Sequence, residues 1–146
     1  MIPQALIKRL HELSEPVPTP LCLPTPAEVA AVEQQLGVAF HPDLRQYLLA
    51  VSDVVFGSFE PVTVGDPDAH TDMISVCRGA WDEYGLPHDL IPVCENNADF
   101  YCLNNAGQVV FWSHEGAGAE RWSSLAEWIE KVWIGESEAG DDDDEP

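Results

Sequence analysis

The amino-acid sequence predicts an α+β fold, a small antiparallel sheet with helices packed on one face, and three observations carry that prediction. Apolar residues recur at helical spacing in five segments, several with capping residues at one or both ends. Three short apolar segments near the middle are separated by turns too short for a crossover. The chain has 146 residues, a length that suits one domain with one self-sufficient core.

The first helix is expected over residues 2–13, where Leu6, Leu10 and Leu13 share a face, and Pro16, Pro18 and Pro20 end it in an extended connector. Thr25-Pro26-Ala27-Glu28 opens the second as a capping box with proline in the first turn. Val29, Val32 and Leu36 form its stripe, and Gly37 supplies a left-handed stop. A third helix starts at Pro42, with Leu44, Tyr47, Leu48 and Val51 at i, i+3, i+4 and i+7, and runs antiparallel to the second. Alternation of Phe59, Val62 and Val64 predicts a short strand over 58–64, which Pro61 restricts to an edge or a bulge.

After an acidic loop at 65–72, Met73, Val76, Cys77, Ala80, Trp81 and Tyr84 repeat at helical spacing, and Gly85 terminates them. Residues 90–94, 100–103 and 108–112 are three strand candidates, and the Asn-rich four-residue turns between them imply a meander. Ser124, with Glu127 three residues on, is a second capping box, opening a helix with Leu125, Trp128, Ile129 and Val132 inward and Gly135 as its stop. No internal repeat is present. Residues 1–135 are thus expected to form the domain, 1–24 being its N-terminal helix and Pro-rich connector, and 136–146 a disordered acidic tail.

The chain carries 26 acidic and six basic residues, a formal charge of -20. Seven of those acids lie in 136–146, so residues 1–135 keep 19 acids against six bases, or -13. Such a field repels phosphates and anionic lipid, which argues against nucleic-acid or membrane partners and favours encounter with a basic protein. With no signal-peptide pattern and no apolar run of bilayer length, the sequence reads as cytoplasmic. Cys22, Cys77, Cys94 and Cys102 match neither a zinc pattern nor a disulfide framework, so buried core thiols are expected. A hairpin at 96–99 would bring the strands of Cys94 and Cys102 side by side.

Several strings, in this order, resemble the SUKH superfamily, the domain named after fungal Smi/Knr cell-wall regulators. Thr25-Pro26-Ala27-Glu28 leads into Val32-Glu33-Gln34-Gln35-Leu36-Gly37-Val38, then Pro42-Asp43-Leu44-Arg45-Gln46-Tyr47-Leu48. Leu90-Ile91-Pro92-Val93, Asp99-Phe100-Tyr101-Cys102-Leu103-Asn104 and Val109-Val110-Phe111-Trp112-Ser113-His114-Glu115 look like its central strands, and residues 124–129 like its closing helix. The resemblance spans residues 25–134 and implies a non-enzymatic protein. It points to an immunity protein that neutralises a cognate toxin of a bacterial polymorphic or contact-dependent system, many such toxins being nucleases. The alternative it offers is a regulatory adaptor of the Smi/Knr type.

Four imidazole–carboxylate pairs, His41 with Asp43, His70 with Asp72, His88 with Asp89 and His114 with Glu115, offer acid–base chemistry. Chance pairs are common in so acidic a chain, and no zinc-protease, phosphate-loop or nucleophile-elbow motif accompanies them, so no catalytic residue, metal or cofactor is assigned. The run from Asp141 to Asp144 lacks the alternation and glycine of a calcium loop and reads as solvated. Trp122 and Trp133 fit the periodicity least well and are either core or exposed anchors. The expected partner surface is acidic: Asp66, Asp68 and Asp72 in one loop, Glu95 and Asp99 in another, extended by His114, Glu115 and Glu120 after the last strand. The expected partner is a basic toxin; oligomeric state is left open.

Overall fold

The computed structural model describes residues 2–18, 22–57, 59–66, 68–96, 99–113 and 116–136. Its order is α1 (Gln4–Leu13), α2 (Pro26–Leu36), α3 (Pro42–Ala50), α4 (Met73–Asp82), β1 (Ile91–Asn96), β2 (Asp99–Leu103), β3 (Val109–Ser113), β4 (Gly116–Trp122) and α5 (Leu125–Trp128), which runs into a π-helix, Ile129–Ile134. The strands form one antiparallel sheet in the order β1-β2-β3-β4, the meander that the short turns require. The fold is therefore α+β, as predicted.

The caps form much as the residues dictate. Thr25 Oγ1 accepts from the Glu28 N–H at 3.2 Å while Glu28 Oε1 accepts from the Thr25 N–H at 2.9 Å, completing the box at the start of α2. Gly37 ends that helix at φ 71°. At the next junction His41 caps α3 through its ring, Nδ1 accepting from the Asp43 N–H at 3.1 Å. Across the α2–α3 turn Glu33 reaches Arg45 and the Phe40 N–H. The Gln46 side chain holds both the N–H and the carbonyl of Ile2, which fastens the N-terminus beneath α3.

Of the segment predicted as a strand at 58–64, residue 58 lies outside the described residues and 59–64 do not become one. Pro61 bridges Cys94 and the Val62 N–H donates to the Val93 carbonyl at 2.9 Å, but proline has no N–H to extend a ladder, so the contact with β1 stays isolated. Conversely, β4 has no signal in the sequence: it opens Gly-Ala-Gly-Ala, which offers no apolar alternation, and is held by backbone pairing to β3. The closing helix also differs. Ser124 accepts from the Glu127 N–H, yet the Glu127 carboxylate bonds the Ser123 hydroxyl, so the second capping box is only half made. Gly135 has φ -61°, continuing the helical path instead of stopping it, and a Cβ there would sit 3.0 Å from the Glu130 carbonyl oxygen.

Successive residues of a strand point to opposite faces, and the contacts of β2 separate accordingly. Phe100 meets Tyr84, just beyond α4, while Tyr101 meets Trp128 of α5 and Phe59 on the other face. Helical cover thus extends past the single face expected, and every residue from Phe100 to Leu103 is buried. A bulge at Val93 sets Pro92 opposite Cys102 but Cys94 opposite Tyr101. The two cysteines therefore face opposite sides of the sheet. Burial pushes the Cys94 thiol up to about 12. The Cys102 thiol is raised by burial and by nearby Cys77 of α4, itself raised to about 12.

Candidate functional site

The residues expected to meet a partner separate into two regions. In the 65–72 loop, Asp66 and Asp68 are exposed, and the Asp66 carboxylate accepts from the Asp68 N–H at 3.0 Å in a local turn. Asp72 departs from the expected exposure. It is 8% exposed and caps α4, Oδ2 accepting from the Ser75 N–H at 3.1 Å and the Ser75 hydroxyl at 3.0 Å. Beside this loop His70 pairs with Glu60 at 2.8 Å, not with Asp72. The same segment borders a groove of about 390 Å³ whose walls include Val17, Val55, Phe59, Pro61 and Ala69.

The second region lies on the face of the sheet that carries Tyr101. Register sets Tyr101 opposite Phe111, and Val109 of β3 opposite Trp122 of β4. The Tyr101 ring is consequently surrounded, with centroids of Phe111 at 5.1 Å, Trp128 at 5.3 Å, Trp122 at 5.6 Å and Phe59 at 6.0 Å. Trp128 is enclosed, whereas Phe59, Phe111 and Trp122 each keep part of their surface in solvent. Burial above all, with Glu136, Cys94, Glu120 and Asp99 adding to it, raises the Tyr101 hydroxyl to about 12. Those three carboxylates come from separate parts of the chain, and all three act electrostatically on one phenol.

Of the expected residues, Asp99 and Glu120 thus come together, and Glu136, read from the sequence as the start of the tail, joins them. Glu95 is exposed but stands opposite Phe100, which assigns it to the other face. His114 and Glu115 lie outside the described residues. Trp133 is core, its N–H donating to the Phe56 carbonyl at 2.9 Å; Trp122 is the half-exposed one. The aromatic half of this region has no local signal in the sequence, because Phe59, Tyr101, Phe111 and Trp122 meet only through strand register and the chain path ahead of β1.

The four described histidines have structural engagements: His41 caps α3, His70 holds Glu60, His88 stacks on Trp81 at 5.0 Å, and His11 meets the Ala50 carbonyl at 2.9 Å. Among the described residues no group of three or more His, Cys, Asp or Glu side chains is placed to hold a metal ion, and no helix is long and apolar enough to cross a membrane.

The family model described as SMI1-KNR4 cell-wall, SUKH_5, matches residues 4–134. Among solved structures, the crystal structure of a protein from Pseudomonas syringae pv. tomato superposes with a TM-score of 0.88 at 41% identity, covering 91% of this chain and 99% of that one. No curated protein matches the chain. With the match spanning the domain from α1 through the π-helix, the chain belongs to the SUKH family, of the SMI1-KNR4 cell-wall type.

Proposed function

We propose that the chain is an immunity protein, which binds a basic toxin in the cytoplasm and neutralises it by occlusion, with no chemistry of its own. Family membership carries this reading, since the family includes toxin immunity proteins. The charge supports it: a body at -13 accelerates encounter with a cationic domain, and like-charged partners are rejected. The exposed carboxylates Asp66, Asp68, Glu95 and Glu120 are available for such steering.

The test starts from the neighbouring gene. A large protein with a variable C-terminal domain encoded immediately upstream supplies the candidate, and that domain is passed over the immobilised chain at low and high salt. Retention with an association rate that falls as salt rises supports the reading. Absence of such a gene together with failure to retain any toxin domain overturns it.

A further inference from the structure

We propose that the sheet face around Tyr101 is a receptor for an arginine side chain of a basic partner protein. The toxin-binding reading supplies the partner's origin, while the chemistry of the receptor stands on the face itself.

Phe59, Phe111 and Trp122 converge on Tyr101 and remain partly open to solvent. Asp99 alternates onto this face with Tyr101 along β2, and Glu120, in the irregular stretch of β4 just before Trp122, acts electrostatically on the Tyr101 hydroxyl. Glu136 approaches from the chain leaving the π-helix. Ring faces bordered by carboxylates suit a guanidinium, a planar cation that stacks on an aromatic ring and presents a fork of N–H donors at its edge. An ammonium uses the charge but cannot stack, so arginine is preferred over lysine.

Among the described residues, the two cations on the neighbouring elements are turned elsewhere. Arg121 pairs with Val110, which puts its side chain on the opposite face, and Lys131 faces Glu127 at 3.9 Å. Residues 137–146 contain four Asp and two Glu, and a second copy brings another -20, so both are repelled.

The experiment titrates ¹⁵N-labelled protein with a Gly-spaced arginine peptide and its lysine counterpart, following the indole N–H of Trp122 and the backbone amides. The expected result is movement of the Trp122 indole with Phe111 and Glu120, tighter for the arginine peptide. Glu120→Lys with Glu136→Lys should weaken binding about tenfold, and Asp66→Lys with Asp68→Lys by less than about twofold. All four positions are exposed, and unfolding midpoints verify that the variants fold; Glu120→Gln with Glu136→Gln gives a milder version should the reversal perturb the domain. Shifts centred on the 65–72 loop or on 137–146, equal affinity for both peptides, or indifference to both Glu120/Glu136 pairs overturns the proposal. Since no toxin is present, this failure is distinct from failure of toxin retention.

Discussion

Replacing Glu33 by alanine tests how the α2–α3 junction is held. Glu33 Oε2 accepts from the Phe40 N–H at 2.9 Å and from Arg45 Nη2 at 2.8 Å, while Oε1 accepts from Arg45 Nε at 3.0 Å. Phe40 is 3% exposed, so an N–H left there without its acceptor costs about 1–3 kcal/mol. The ion pair adds no more than about 1 kcal/mol, because the Arg45 side chain is 45% exposed and solvent screens it. Glu33→Ala should therefore lose about 2–3 kcal/mol in urea unfolding, whereas Arg45→Ala, which spares the Phe40 bond, should lose less than about 1 kcal/mol. Arg45 hydrogen bonding, opposed by burial and aided by the Phe40 N–H, holds the Glu33 carboxyl below its ordinary 4.5. In acid the unfolded chain then binds more protons at this position than the folded one. Its contribution is present above the ordinary glutamate range and is lost as pH falls through the depressed folded value. Glu33→Gln should remove that part of the slope. Equal losses in Glu33→Ala and Arg45→Ala, or parallel stability–pH curves for wild type and Glu33→Gln below pH 4.5, would refute the reasoning.

Gly107 turns the chain between β2 and β3 at φ 84°, and a Cβ there would lie 2.7 Å from Nε2 of His41, the residue that caps α3. Gly107→Ala should cost the left-handed strain of about 1–2 kcal/mol plus part of a cap worth about 0.5–2 kcal/mol. Gly85→Ala, at φ 77° with open space around it, should show only the first part; equal losses in the two variants would dissociate His41 from the turn. Cys22 is exposed while Cys77, Cys94 and Cys102 are buried, so a disulfide reagent at pH 8 should modify one thiol of four in the native protein and the rest only on unfolding. Rapid modification of a second thiol would show that the sheet or α4 opens under native conditions.

What was legible in the sequence was whatever is written locally. The α2 box and the Gly37 stop need only residues within one turn of each other, and Thr25, Glu28 and Gly37 take the geometry their side chains favour. Helical spacing likewise located α3 and α4. What escaped depends on partners distant in sequence. A Gly-Ala segment is a strand only because β3 offers it an edge, and Asp72 leaves the acidic loop for a helix cap because the chain turns into α4 there. The site follows the same division. Asp66, Asp68 and Glu95 are exposed as their loops imply while Asp72 and Asp99 are not, and the grouping of Asp99, Glu120 and Glu136 about Tyr101 exists only after three strands align and the last helix returns.

The π-helix bears on that grouping. Val132, Trp133 and Ile134 are consecutive and all buried, and the wider i→i+5 turn holds them while Gly135 continues inward against the Glu130 carbonyl. This turn acts as an angular spacer, setting the bearing of Glu136 relative to the body. Closing the same stretch as an ordinary α-helix, one residue shorter, would swing Glu136 to a different azimuth and carry it off the rim of Tyr101. The length of one turn and the charge of a surface formed by other elements are thus coupled, so an insertion or deletion there would re-aim Glu136 while leaving every strand in place.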